Sequence, residues 1–207
     1  MRILAIETAT EACSVALFED DQLIARDHRV LGRGHAERLV PMIADLPDKG
    51  RADQILVSLG PGSFTGVRIG IATARALGFA WNAQVFGYPT LALIAAQARQ
   101  ISERSVTVCM NGGHGEWFVA DFDGSTNDGA FQSLTPDAAV QRGALDQIAG
   151  NRAADFANRL ADGRSAIDIL PDASAVGLLH NGQLTAVLNP IYGRAPDAKP
   201  QSMATPK

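Results

Sequence analysis

Ser58-Leu59-Gly60-Pro61-Gly62-Ser63-Phe64-Thr65-Gly66-Val67-Arg68-Ile69-Gly70-Ile71-Ala72-Thr73-Ala74-Arg75-Ala76 reads as the end of a buried strand, a tight turn and the start of a small-residue helix. Gly60 and Gly62 allow backbone angles that a β-carbon forbids, Pro61 fixes φ between them, and Ser63 or Thr65 can cap the helix. Within the helix Gly66, Gly70, Ala74 and Gly78 recur every four residues, a ridge along one face that another element can approach almost backbone to backbone. Each glycine costs roughly 1 kcal/mol against alanine in a helix, so close packing must offset the loss. The GxxxxGK[ST] spacing and its lysine are missing, which argues against a P-loop, and Arg68 and Arg75 on one face argue against a lipid-embedded GxxxG helix. Two readings remain: a helix packed tightly on its own sheet, or a helix that docks on another helix.

Outward from this run, the pattern predicts strands over 2–7, 12–18 and 22–29, an antiparallel meander whose first turn is Thr8-Ala9-Thr10-Glu11. A helix over 35–46 follows, with Leu39, Met42, Ile43 and Leu46 on one face, then a strand over 54–59, the glycine-bearing helix to about Asn82, a strand over 84–88 and a helix over 89–101. A meander followed by alternating strands and helices implies a mixed sheet covered on both faces. Beyond it, strands over 105–110 and 116–122 pair across Asn111-Gly112-Gly113-His114-Gly115, and 123–129 is a polar loop. Helices are expected over 136–148 and 171–179, a short strand over 166–170, and an extended surface tail over 189–200. No internal repeat or low-complexity tract stands out.

With 207 residues and 46% hydrophobic content, the chain can bury a core as one domain or two small lobes. The apolar run Ile3 to Ile6 is closed by Glu7, so it reads as neither signal peptide nor membrane span, and a cytoplasmic protein is expected. Cys13 and Cys109 lie far apart in apolar stretches without a CxxC, which favours two free buried thiols. The net charge is −4, and the basic residues, mostly arginine, form no run. Such a surface lacks the footprint for neutralising phosphates, so RNA would be met only through a partner.

The run from Gly60 to Gly78, together with Ile3-Leu4-Ala5-Ile6-Glu7-Thr8-Ala9-Thr10-Glu11-Ala12-Cys13-Ser14-Val15-Ala16-Leu17 and His35-Ala36-Glu37-Arg38-Leu39-Val40-Pro41-Met42-Ile43, resembles the TsaB (YeaZ) family, strongly over the first half of the chain and weakly beyond. The resemblance implies an α/β protein of the actin/Hsp70/sugar-kinase (ASKHA) type. It would have a mixed sheet with helices on its faces in an N-terminal lobe over 1–102, which also carries the dimerisation helices, and a smaller, reduced lobe with the tail over 103–207. It further implies a non-catalytic partner of the TsaD subunit in bacterial tRNA threonylcarbamoyladenosine synthesis. There TsaD and the ATPase TsaE act after a separate enzyme makes threonylcarbamoyl-adenylate, and the group ends on the adenosine next to the anticodon of tRNAs reading codons that begin with A. On this chain the implied docking residues, for TsaD or for a second copy when TsaD is absent, are His35, Leu39, Met42, Gly66, Arg68, Gly70, Ala74 and Arg75. The first strand turn is where such a fold faces phosphate, which makes Glu7, Thr8 and Thr10 the nucleotide-binding candidates. ATP or ADP at the joint surface with TsaD is the only cofactor implied. Glu7 stands where the family more often has aspartate, and the bland alternative is a threonine-rich turn whose hydroxyls bond their own backbone.

Catalytic sets are hard to assemble from the remaining residues. His28, His35, His114 and His180 include no HxxxH or HxxH pair, so no metal site is read. TsaD-type relatives carry paired histidines after the strand that ends here at Tyr88, whereas this chain continues Pro89-Thr90-Leu91-Ala92. His35 is expected to be a helix-start residue exposed at the protein surface or at its interface. Ser63 is outside a GxSxG elbow, Cys109 has no adjacent base, and His114 with Glu116 reads as an exposed turn. Asn111-Gly112-Gly113-His114 replaces the Asp-Ala-Arg the family usually shows there, which removes any role tied to that arginine. Two rival functions are an ATP-dependent small-molecule kinase of the same fold, disfavoured by length, and a metallopeptidase, disfavoured by the missing ligand pairs.

Overall fold

The computed structural model describes residues 1–124, 129–161 and 163–193. Residues 125–128 of the loop expected over 123–129, and the part of the expected tail beyond 193, lie outside them. Strands β1 (Arg2–Glu7), β2 (Ala12–Glu19) and β3 (Gln22–Val30) form the antiparallel meander, turned between β2 and β3 by Asp20 and Asp21, both at positive φ. β4 (Gln54–Ser58) and β5 (Gln84–Tyr88) add in parallel, giving the order β3-β2-β1-β4-β5.

Period-two alternation decides what covers each face. Leu4, Ile6, Val15, Leu17, Ile55 and Val57 pack under α1 (His35–Ala44) and α2 (Phe64–Trp81). Ala5, Ala16, Leu56 and Tyr88 point the other way, toward α3 (Thr90–Ile101) and a 3-10 turn over Ala173–Leu178. Helix α3 in turn lies on a second sheet, where Leu91, Ile94 and Ala98 meet Val106, Val108, Phe118 and Phe122.

That second sheet repeats the first. β6 (Val106–Gly113), β7 (Glu116–Phe122) and β8 (Phe131–Leu134) make an antiparallel meander, and β9 (Gln147–Ala149) and β10 (Ser165–Ile167) add in parallel in the order β10-β9-β6-β7-β8. Its far face carries α4 (Pro136–Arg142) and α5 (Ala153–Leu160), which close over Trp117, Val119, Ile148 and Phe156. Two sheets of one topology stacked about a shared helix are the ASKHA arrangement, and the second lobe is complete in strand order.

Several expectations for the second half are corrected. The helix over 136–148 stops at Arg142, because Gly143 takes φ 78° and frees Gln147–Ala149 to pair with β6. The helix over 171–179 is a 3-10 turn capped by the Asp172 side chain, and the strand over 166–170 is Ser165–Ile167. β8 and α5 were not expected. The chain also does not stay in the second lobe after residue 103: Ala173 N–H donates to Ser14 Oγ at 2.8 Å, and Ile191 N–H donates to the Leu59 carbonyl at 2.7 Å, so 171–193 returns to the first sheet.

Candidate functional site

The glycine ridge faces inward. Ser63 caps α2, its Oγ accepting from Gly66 N–H at 3.2 Å, and its own N–H donates to the Ala9 carbonyl at 2.6 Å. The helix thereby sits directly on the β1–β2 turn. A β-carbon at Gly62 would collide with the Ala9 carbonyl, at Gly66 with the Thr8 carbonyl, at Gly70 with the Thr8 hydroxyl, and at Gly78 with Val85. Ala74 is fully buried in the same core, as are Leu39 and Met42 of α1. Of the eight docking residues expected, Gly66, Gly70, Ala74, Leu39, Met42 and His35 are therefore occupied by the chain's own packing.

His35 is buried rather than exposed. Its Nε2 lies 3.1 Å from the Ala12 carbonyl oxygen, which can only accept, so that nitrogen carries the proton. Arg68 and Arg75 do reach the surface, but both are tied to the returning segment: Arg68 Nε and Nη2 donate to Tyr192 Oη at 3.1 and 2.9 Å, and Arg75 Nη2 donates to the Leu188 carbonyl at 2.9 Å. The Arg68 guanidinium also lies over the Phe64 ring, 3.7 Å from its centre.

The nucleotide candidates divide: Glu7 and Thr8 are turned into the protein, while Thr10 reaches the wall of the open cleft. Thr8 Oγ1 donates to the Gly66 carbonyl at 2.8 Å, and Thr10 Oγ1 accepts from Ala12 N–H at 3.2 Å. Glu7 is fully buried, with Oε1 accepting from Ala9 N–H at 2.7 Å and Oε2 without a hydrogen-bond partner among the described residues. Burial raises its pKa to about 7, against which the Ala9 N–H and the hydroxyls of Ser58 and Tyr88 act only in part. Glu7 and Thr8 thus fit a sealed turn under α2 and do not fit a metal-phosphate contact.

What lies open is a cleft of about 1030 Å³ between the lobes. One wall is Thr10, Glu11 and the loop Gly32 to Gly34 that starts α1. The other is the β6–β7 hairpin with His114, together with Phe118 and Asn151, and Tyr192 and Gly193 flank its mouth. Asn151 crosses the floor: its Nδ2 donates to Glu11 Oε1 and Oε2 at 2.9 and 3.1 Å, and its Oδ1 accepts from Asn111 N–H at 2.9 Å. His28 Nδ1 is 3.4 Å from Asp172 on the far side of the first sheet, and among the described residues no three His, Cys, Asp or Glu converge on a metal-sized site. Cys13 and Cys109 are buried free thiols, pushed by that burial up to about 11 and about 12.

The second open feature is the outer face of the α1–α2 pair, opposite the ridge. Ala36, Val40 and Ala44 line it on α1, and Ala72, Ala76 and Phe79 on α2. Val40 is 54% exposed and Phe79 is 92% exposed. Neither was singled out from sequence, although both stand on the helix sides left free once the ridge and Leu39 are assigned inward. Among the described residues no helix is long and apolar enough to cross a membrane.

Comparison with known proteins gives four findings. The family model for TsaD, tRNA N6-adenosine threonylcarbamoyltransferase, matches residues 29–192. The tRNA threonylcarbamoyladenosine biosynthesis protein TsaB of Escherichia coli (strain K12) is 38% identical over 133 residues, 61% of this chain and 57% of that protein, so the match spans little more than half of that relative. An uncharacterised protein of Mycobacterium bovis is 32% identical over 98% of this chain and 96% of its own length. Among solved structures, YeaZ from Pseudomonas aeruginosa superposes with a TM-score of 0.70 at 30% identity, covering 84% of this chain and 88% of that one.

Proposed function

Because this chain belongs to the TsaB (YeaZ) family, we propose that it is a non-catalytic subunit for threonylcarbamoyl transfer to the tRNA adenosine beside the anticodon, acting by binding TsaD through the outer face of α1 and α2. The observation that carries the reading is Phe79, a large apolar side chain standing almost wholly in solvent, with the exposed Ala76 and Ala72 one and two turns before it on the same side of α2. Burying one such ring contributes about 2 kcal/mol, and the alanines around it let a second helix approach closely. In this reading the partner is TsaD and the exposed face is where it docks.

The same face serves self-pairing when TsaD is absent, since a two-fold dimer needs one self-complementary patch. TsaE and tRNA join through TsaD in this reading, in keeping with a net charge of −4. A shared ATP or ADP belongs to the proposal only at the joint surface, with contacts from this chain at the cleft rim, Thr10 and Asn111, rather than from Glu7 and Thr8. The kinase reading has no support from the first turn, whose carboxylate and hydroxyls are engaged inside the protein.

Light scattering of this chain mixed with TsaD, followed by transfer of labelled threonine to tRNA in the presence of TsaE, tests the proposal. The wild-type chain forms a complex and supports transfer, while Phe79→Glu stays folded and does neither. A Phe79→Glu variant that pairs normally, or threonylcarbamoyl transfer by this chain alone, overturns it.

A further inference from the structure

Asn151 joins three segments that are far apart in sequence. Its amide nitrogen spans both carboxylate oxygens of Glu11 in the first-lobe turn, its amide oxygen holds Asn111 N–H at the end of β6, and it stands itself on the second-lobe segment between β9 and α5. The Glu11 backbone is a junction as well: its carbonyl accepts from Leu31 N–H at 2.9 Å and Gly32 N–H at 3.0 Å, the residues that lead into Gly34 at the start of α1. His35 anchors that helix start to Ala12, the next residue along.

Besides the returning segment, whose Gly193 backbone rests on the Phe118 ring, α3 joins the two sheets, since both cores share it. A helix sandwiched between two sheets permits one to rotate over the other, as in shear and hinge closure. The Glu11–Asn151 pair lines the cleft and bonds one lobe to the other across it, so a rotation of the lobes about α3 has to strain or break it. A carboxylate accepting two hydrogen bonds from one amide is charge-assisted and directional, which suits a clasp better than apolar contact does.

We infer that Glu11 and Asn151 form an interlobe latch, which sets the width of the cleft and fixes the start of α1 relative to the second lobe. Its bearing on assembly rests on the proposed docking face, of which α1 is half. The latch predicts a rigid chain whose two lobes move as one body when it is intact, and a chain that opens about α3 when it is broken. Asn151→Asp breaks it by setting two carboxylates face to face. Adding Glu11→Gln to Asn151→Asp rebuilds it with the roles exchanged, since the new amide at 11 donates to the carboxylate at 151, which still accepts from Asn111 N–H.

The experiment measures the distance between spin labels on cysteines at Glu37 and His114, exposed positions on opposite walls of the cleft; the buried native thiols do not compete. Asn151→Asp should lengthen and broaden that distance and raise hydrogen exchange at Leu31 and Gly32 by at least about tenfold. The double variant should return both to wild-type values, which a mere loss of fold could not do. A distance unchanged by Asn151→Asp, or a double variant as open as the single one, overturns the latch. TsaD affinity should fall several-fold and recover in the same series. Distances that move while affinity stays constant would overturn the link to docking, whereas the Phe79→Glu result tests the docking face by itself.

Discussion

Glu7 makes this protein's stability depend on pH in the direction opposite to most carboxylates. An ordinary glutamate titrates at 4.5 and this one at about 7; at roughly 1.4 kcal/mol per decade the gap corresponds to about 3 kcal/mol. Because burial favours the neutral acid, the folded chain holds this proton more tightly than the unfolded chain. Between pH 4.5 and about 7 the folded state binds more protons at Glu7, so the contribution of Glu7 to stability is highest below 4.5, falls through that window and levels off above it. The physical root is the complete burial of the carboxyl group, which outweighs the Ala9 N–H and the nearby hydroxyls that favour its charged form.

Glu7→Gln removes the ionisation and keeps the size. Thermal or urea unfolding of both proteins at pH 4.5, 6 and 7.5 isolates Glu7, because every other titrating group is common to the pair. The variant gains on the wild type by about 3 kcal/mol from the lowest to the highest pH, or roughly 6–12 °C in melting temperature for a chain of this size. The starting offset is set by how well the new amide is satisfied, so the change with pH carries the test. A difference that stays constant across the series, or that shrinks as pH rises, refutes a buried neutral Glu7.

Gly70→Glu should unfold the monomer, because it drives a charged side chain into Thr8 and Val57; the expected loss exceeds about 4 kcal/mol by circular dichroism. Tyr192→Phe should leave the cores intact but release Arg68, loosening the returning segment by about 1 kcal/mol, seen as faster exchange of Ile191 N–H and earlier proteolysis near residue 188.

The first lobe was legible because its signals are local and agree with one another. Alternation in β1 and β2, the aspartate turn at 20–21, one-face spacing in α1 and the glycine-serine entry into α2 all point to one topology. The second lobe was less legible because its elements are short. β9 and β10 have three residues each and are strands only by pairing with β6 and with each other. Residues 147 and 148 therefore read as the tail of a helix, since nothing within three residues separates the two periods, and only Gly143 marked the break. The duplication of the fold lies in strand order alone, which a residue-level search for repeats does not detect.

The site shows why a small-residue ridge is ambiguous in principle. Glycine every four residues states that something comes close; it does not state whether that is a second protein or the chain's own turn. Here the discriminating fact is long-range: the β1–β2 turn rises under α2 so that Thr8 and Ala9 carbonyls occupy the space of the missing β-carbons. Once that contact fills the ridge, helical geometry leaves Ala72, Ala76 and Phe79 on the opposite side. The same contact closes Glu7 and Thr8 of the first turn to phosphate, because the backbone that α2 needs for close approach is the backbone that a nucleotide would have to reach there. The inward glycines, the sealed Glu7 and the outward Phe79 are consequences of one packing choice, and a single substitution at Gly70 that left the fold intact would undo all three inferences together.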